Sequence, residues 1–200
     1  RIAEAAVYHS REVTDHYLRP ETGLLLEYIR LDNRTADTPA GRTVVPGHAI
    51  ESAWFQIRQL EKRNDRERIG RMVRAIRRHF DAGWDPQEGG LFLGLDAEGR
   101  SPVHWKFHDT KVWWPATEAL YALLKAHTLC GEPWCLEAYR RMHNYAYTRY
   151  PVRKHGEWRQ RLDRKGNPIT DVVALPVKDP FHLPRSLILS INLLDAFATA

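Results

Sequence analysis

Apolar positions along the chain recur mostly at helical spacing. Ile2, Ala6, Val13 and Tyr17 predict a helix over residues 2–17, ended by Arg19-Pro20-Glu21-Thr22-Gly23. The same spacing predicts helices over 48–63, 66–80, 112–129 and 133–149, and a last one from Leu183 to the end. Pro133 falls in a first turn, where proline is tolerated. Short apolar stretches at 24–31, 91–95 and 157–162 predict strands. The second and third of these are turned by Asp96-Ala97-Glu98-Gly99 and Asp163-Arg164-Lys165-Gly166.

The helices form two classes. One is apolar along most of its length, as in Ala119-Leu120-Tyr121-Ala122-Leu123-Leu124 and Leu187-Ile188-Leu189. The other is amphipathic and basic, with Arg66, Arg68, Arg71, Arg74, Arg77 and Arg78 in one helix. A helix apolar on most sides must be covered on most sides, so the first class predicts an inner layer and the second an outer one. The pattern also repeats. His48, Pro115 and His182 follow one another at 67 residues, and Glu51, Glu118 and Arg185 keep that spacing three positions later. Asp96 and Asp163, and Gly99 and Gly166, are also 67 apart, and Leu31-Asp32 is a slightly offset first copy. A fixed period of this size means stacked helix–hairpin–helix units, here three pairs of helices in an open solenoid or part of a closed ring.

Composition narrows the classes. With 43% hydrophobic and 28% charged residues the chain reads as a folded soluble domain rather than a disordered one. No stretch approaches the roughly 20 apolar residues of a membrane span, and the charged start is unlike a signal peptide, so a cytoplasmic, membrane-free protein is expected. The net charge of +5 comes from interspersed signs. The arginines from 66 to 78 read as a solvated outer face and, lacking interleaved aromatics, not as a nucleic-acid site. Cys130 and Cys135 alone exclude a four-cysteine zinc site and fit a reducing compartment. The chain starts at Arg1, which reads as entry into a domain midway.

The chemistry gathers at the predicted starts of the inner helices. Positions three apart share a helix face, so the repeats converge His48, Glu51, Trp114, Glu118, His182 and Arg185 on one mouth. A carboxylate near an imidazole orients it and raises its pKa, and two imidazoles facing one cavity suit acid–base work. Plain structural readings stand beside this. A histidine at a helix start is commonly structural, Glu118 can be an ion-pair partner of Lys111 or an arginine, and Trp113 and Trp114 can be core. The other histidines, among them His79, His104 and His108, lack metal-ligand spacing and read as surface or packing residues; no metal site is expected.

Five blocks in order carry a resemblance. They are Arg42-Thr43-Val44-Val45-Pro46-Gly47-His48-Ala49-Ile50-Glu51 with Trp54-Phe55; Gly83-Trp84-Asp85 with Gly89-Gly90-Leu91-Phe92; Lys111-Val112-Trp113-Trp114-Pro115 with Glu118-Ala119-Leu120; Gly156-Glu157-Trp158 with Leu162-Asp163-Arg164; and Pro180-Phe181-His182-Leu183-Pro184-Arg185. Together they resemble the N-acylglucosamine 2-epimerase family, which includes the renin-binding proteins. The resemblance implies an all-α (α/α)6 barrel of twelve helices, of which residues 1–200 would be the C-terminal half. It implies a sugar 2-epimerase that removes and returns the C2 proton of an open-chain aldose through an enediolate. His48 and His182 match the family's catalytic pair. Glu51 would then orient His48, Glu118 and Arg185 would hold sugar hydroxyls or the oxyanion, and Trp114 and Trp54 would form wall or packing. No cofactor is implied, although ATP acts on some members as an effector. Phe181-His182-Leu183-Pro184-Arg185 is closer to the N-acylglucosamine type than to the cellobiose type, while residues 176–180 depart from the family's pattern. The alternatives are an aldose–ketose isomerase or cellobiose 2-epimerase of the same superfamily, or a truncated, inactive binding module. Half a barrel would expose two apolar edges, which favours aggregation or a homodimer.

Overall fold

A computed structural model describes residues 1–170 and 181–199. Six helices carry the described residues: α1 (Ile2–Glu12), α2 (Pro46–Glu61), α3 (Arg66–Gly83), α4 (Trp113–Cys130), α5 (Pro133–Arg149) and α6 (His182–Ala198). The predicted helix over 2–17 is continuous, but its last turn, Val13–Tyr17, widens to π geometry. α2 begins at Pro46, earlier than predicted, because Val45 is extended and proline suits a first turn. α3 is capped by Asp65, whose side chain accepts from the Arg68 amide, and runs on to Gly83. α4 stops at Gly131, which adopts the left-handed conformation that glycine takes without a Cβ clash.

The two-layer expectation describes the packing. α2, α4 and α6 lie side by side; α3 covers α2, and α5 covers α4. α4 is buried along almost its whole length, with Ala119, Leu120, Tyr121, Ala122, Leu123 and Leu124 all in the core. Trp54, Ile50 and Ile57 from α2 and Met72, Ile76 and Phe80 from α3 complete that core. The grouping differs from three pairs. Two complete pairs, α2–α3 and α4–α5, are flanked by α1 at one edge and by α6 at the other. Both edges are raw: Ile2 and Tyr8 of α1 and Ile188, Ile191, Leu194 and Phe197 of α6 are exposed. Among the described residues no helix is long and apolar enough to cross a membrane.

The strands depart most from expectation. Among the described residues six two-residue strands are present: β1 (Thr43–Val44), β2 (Leu95–Asp96), β3 (Lys111–Val112), β4 (Pro151–Val152), β5 (Glu157–Trp158) and β6 (Arg161–Leu162). Residues 24–31 form no strand, and only Leu25 bridges back to Leu18. The predicted strand at 157–162 splits. β5 makes a local hairpin with β4, whereas β6 pairs with β3. β1 pairs in the same way with β2, through Thr43 opposite Asp96. A unit is therefore closed not by a hairpin between its helices but by two short strands, one before the inner helix and one after the outer helix. Such pairs depend on tertiary docking, which two-residue periodicity cannot reveal.

Candidate active site

The strand pairs set the inner helices side by side at one end, since α2 follows β1 and α4 follows β3 with at most one residue between. Gly47 and Trp114 occupy the same register of the repeat, and they meet. A Cβ on Gly47 would lie 2.7 Å from the Trp114 ring, so only glycine lets the indole lie across the start of α2. Both candidate imidazoles stack on that indole. The His48 ring is centred 4.9 Å from it at 25° and the His182 ring 5.4 Å from it at 30°.

Beneath His182 lies a dense charge cluster. Glu118 Oε1 is 2.6 Å from His182 Nδ1 and accepts from Arg185 Nη2 at 2.5 Å, while its Oε2 accepts from Trp54 Nε1 at 2.8 Å. Arg185 Nη2 also donates to Glu51 Oε1 at 2.7 Å, and its guanidinium lies 3.7 Å from the centre of the Phe181 ring. The Glu118 side chain is 1% exposed, so a buried carboxylate in an apolar helix is fully partnered. Its arginine is Arg185; Lys111 instead binds Asp85. Burial and the charge of Glu118 push the Glu51 carboxyl above its ordinary value, against the opposing pull of Arg185 and His182.

His48 is held differently. Its Nδ1 lies 3.0 and 3.1 Å from the two oxygens of Glu27, a residue outside the predicted set. Glu51, expected to orient His48, turns instead to Arg185 and comes within 3.8 Å of His182. Burial lowers the His48 pKa, but the hydrogen bond and charge of Glu27, with the charge of Glu51, more than offset this and hold it above the ordinary imidazole value.

A cavity of about 490 Å³ opens over these groups. His48, Glu51, Trp114 and His182 line it; Glu118, Arg185 and Trp54 do not, and Trp54 is fully buried. Leu93, Phe107, Gln160 and Arg161 line it as well, and sequence reasoning missed them. Two of them were within reach, because Leu93 and Gln160 are 67 residues apart and share a repeat register. Glu51, Glu118 and His182 could bring three ligand atoms within 4.8 Å of one another, the spacing of a metal site. Arg185 already stands between the two carboxylates, so the cation of this cluster is a guanidinium.

Motif residues off the cavity do structural work. Asp85 accepts from Lys111 Nζ at 3.1 Å, from Arg164 Nε at 3.0 Å and from the amides of Gln87 and Glu88. It thereby ties three of the five sequence blocks together at the ends of both units. Burial acts to raise the Asp85 pKa, but these partners hold its carboxyl well below the usual range. Pro180 and the departure at residues 176–180 lie outside the described residues.

Comparisons with known proteins agree with this architecture. The family model described as N-acylglucosamine 2-epimerase (GlcNAc 2-epimerase) matches residues 1–183. The N-acylglucosamine 2-epimerase of Bos taurus is 30% identical over 194 residues, covering 96% of this chain and 46% of that protein. The Homo sapiens protein of the same name is 29% identical, covering 98% and 46%. Among solved structures, cellobiose 2-epimerase from Bacillus thermoamylovorans B4167 superposes with a TM-score of 0.80 at 20% identity, over 96% of this chain and 47% of that one. A D-mannose isomerase superposes with a TM-score of 0.79 at 16% identity, over 97% and 48%. The chain thus spans about half the length of the relatives it matches and has the fold of part of an (α/α)6 barrel. On the match across residues 1–183, the chain belongs to the N-acylglucosamine 2-epimerase family.

Proposed function

We propose that the chain is the C-terminal half of a sugar 2-epimerase that interconverts N-acylglucosamine and N-acylmannosamine, or a related aldose pair. One observation carries this reading: two imidazoles, each with Nδ1 against a carboxylate, stack on one indole at a common cavity. The C2 proton of an open-chain aldose is acidified by the adjacent C1 aldehyde. One imidazole takes it, leaving an enolate (an enediolate where C2 bears a hydroxyl), and the other returns a proton to C2 from the opposite face. Gln160 and Arg161 on the cavity wall supply a neutral and a cationic donor for sugar oxygens and for the developing oxyanion. Arg185 keeps Glu51 and Glu118 paired beneath the site rather than meeting the sugar. The chemistry needs only side chains, and ATP enters as an effector. The exposed apolar face of α6 is covered by the remainder of the barrel.

The test is solvent exchange. In D2O the full-length protein should place deuterium at C2 of N-acetylmannosamine, and His48→Ala and His182→Ala should each abolish it. Absence of exchange across a panel of aldoses rejects the reading. A second reading, aldose–ketose isomerisation, is favoured by the superposition on D-mannose isomerase. It starts from an aldose with a hydroxyl at C2, whose enediolate takes its proton at C1 instead, and a ketose product identifies it. Exchange by the full-length protein but not by the 200-residue chain identifies the chain as an inactive part. A homodimer formed through α6 would show in sedimentation of the chain alone.

A further inference from the structure

We propose that Glu27 is the positioning residue of His48: it holds the hydrogen on Nδ1 and leaves Nε2, facing the cavity, as the atom through which this imidazole exchanges a proton. The inference rests on the acid–base role given to His48 above. Three independent observations support it.

The first is the contact itself. Both Glu27 oxygens lie within hydrogen-bond range of His48 Nδ1, and among the described residues Nε2 has no partner. Trp114 fixes the plane of the ring, so a bond at Nδ1 also fixes where Nε2 points. The second is the stem that carries the carboxylate. The Leu25 amide donates to His79 Nε2 at 2.8 Å, the Leu26 amide to the Tyr17 carbonyl at 3.1 Å, and the Glu27 amide to the Thr43 carbonyl at 2.9 Å. Leu24 and Leu26 are buried together against Val44. A loop pinned at three successive amides, with two buried leucines, holds its next side chain in place.

The third is the repeat. The Glu27 amide binds the carbonyl of Thr43, and the Leu93 amide binds the carbonyl of Thr110 at 3.1 Å, with Thr43 and Thr110 67 residues apart. Glu27 therefore fills the place that Leu93 fills in the next unit, and Leu93 lines the cavity. One unit presents a carboxylate where its neighbour presents a methyl group. Among the described residues the neighbouring carboxylates are engaged elsewhere. Glu51, on the same helix as His48, is bound to Arg185, and Glu118 is bound to His182, Arg185 and Trp54. From α4 the uncharged Trp114 stacks on His48, and His182 of α6 stacks on the same indole.

A neutral imidazole in water prefers its hydrogen on Nε2. Without Glu27, His48 would point a hydrogen into the cavity when it must act as a base. The test is carried out first on the full-length protein, labelled with nitrogen-15 at its imidazoles, with His48→Gln assigning the His48 signals. Wild-type His48 should be the Nδ1–H tautomer when neutral, and should titrate above the ordinary value. In Glu27→Ala the Nε2–H form should become dominant and the midpoint should fall. Glu27→Gln, which keeps an acceptor oxygen but no charge, should keep the tautomer and lose the raised midpoint. The His182 signals should be unchanged in both variants, which reports an intact fold. An unaltered His48 tautomer in Glu27→Ala overturns the positioning.

Turnover then separates the two layers. In the full-length protein Glu27→Gln should lower kcat/KM about tenfold or more and move the pH limb that reports His48 to lower pH. Turnover and pH profile unchanged in Glu27→Ala, the variant whose tautomer flips, would overturn the proton-exchanging role of Nε2, and with it the function assigned to His48, while leaving the Glu27 contact standing.

Discussion

The two imidazoles of the site share a wall and differ in what stands behind them. His182 rests on Glu118, a carboxylate 1% exposed and bound from three directions by His182, Arg185 and Trp54. His48 rests on Glu27, a carboxylate 22% exposed whose side chain reaches it from a loop. The first arrangement is a buried charge network, in which removing one member strands the others. The second is a half-exposed pair, in which water can replace either member. The same chemical device, a carboxylate at Nδ1, is therefore built rigidly on one side and replaceably on the other. Mutations and pH should separate the two sides.

The largest separation is expected from Arg185→Met. It leaves Glu51 and Glu118 facing one another without the guanidinium between them, and breaking a buried pair this way costs about 3–5 kcal/mol. Urea unfolding should show that loss, and adding Glu118→Gln should return much of it, because the two changes share one network. A loss below about 1 kcal/mol would mean that the cluster is not a unit.

Acid should act next, and on the His48 side. His79 is buried, donates from Nδ1 to the Ala75 carbonyl at 2.7 Å and accepts the Leu25 amide at Nε2, so it must stay neutral to hold the loop. Burial pulls its pKa down to about 4. The unfolded chain takes up this proton near pH 6.5 and the folded chain only near 4, so stability is lost as pH falls between those values, by about 3 kcal/mol in all. His79→Gln should flatten that slope, and hydrogen exchange at Leu25 and Glu27 should quicken before exchange in α4. Equal slopes in wild type and variant would remove His79 from the account.

Trp54→Phe is expected to cost about 1–2 kcal/mol, since it leaves Glu118 Oε2 buried without a donor. The midpoint of thermal unfolding reads it. Smallest is Glu27→Gln, worth within about 1 kcal/mol at neutral pH, as for other half-exposed pairs. Its mark is the pH trend. His48 titrates higher folded than unfolded, so its contribution is full below the ordinary imidazole range and fades as pH rises through the raised value. The variant should lack that fading, and a wild-type trend in it would place the partner of His48 elsewhere.

The difference between the two sides is also a difference in legibility. Glu51, Glu118 and Arg185 recur at one spacing, and an inner ring of helices sets residues of one register next to each other, so their meeting could be read from the repeat. Which of them bind was not legible, because Glu51 could turn to His48 or to Arg185 without any change in spacing. Gly47 against Trp114 was legible in the same sense. Glu27 was not: it stands one residue out of step with Leu93, in a segment whose apolar run looked like a strand. Helices with a strong period emerged within a few residues of their bounds, whereas strands two residues long had no period to show.

Those short strands have a consequence in time. Thr43 and Asp96 lie roughly fifty residues apart, as do Lys111 and Leu162, with a helix pair inside each interval. Two-residue ladders cannot offset the closure of so long a loop unless the helices have already docked. The helical layers must therefore assemble first, and the end that carries both imidazoles is completed last and reopens first. A pulse of hydrogen exchange during refolding should find the amides of Leu93 and Ala97 still unprotected when those of Ile76 and Leu123 are closed.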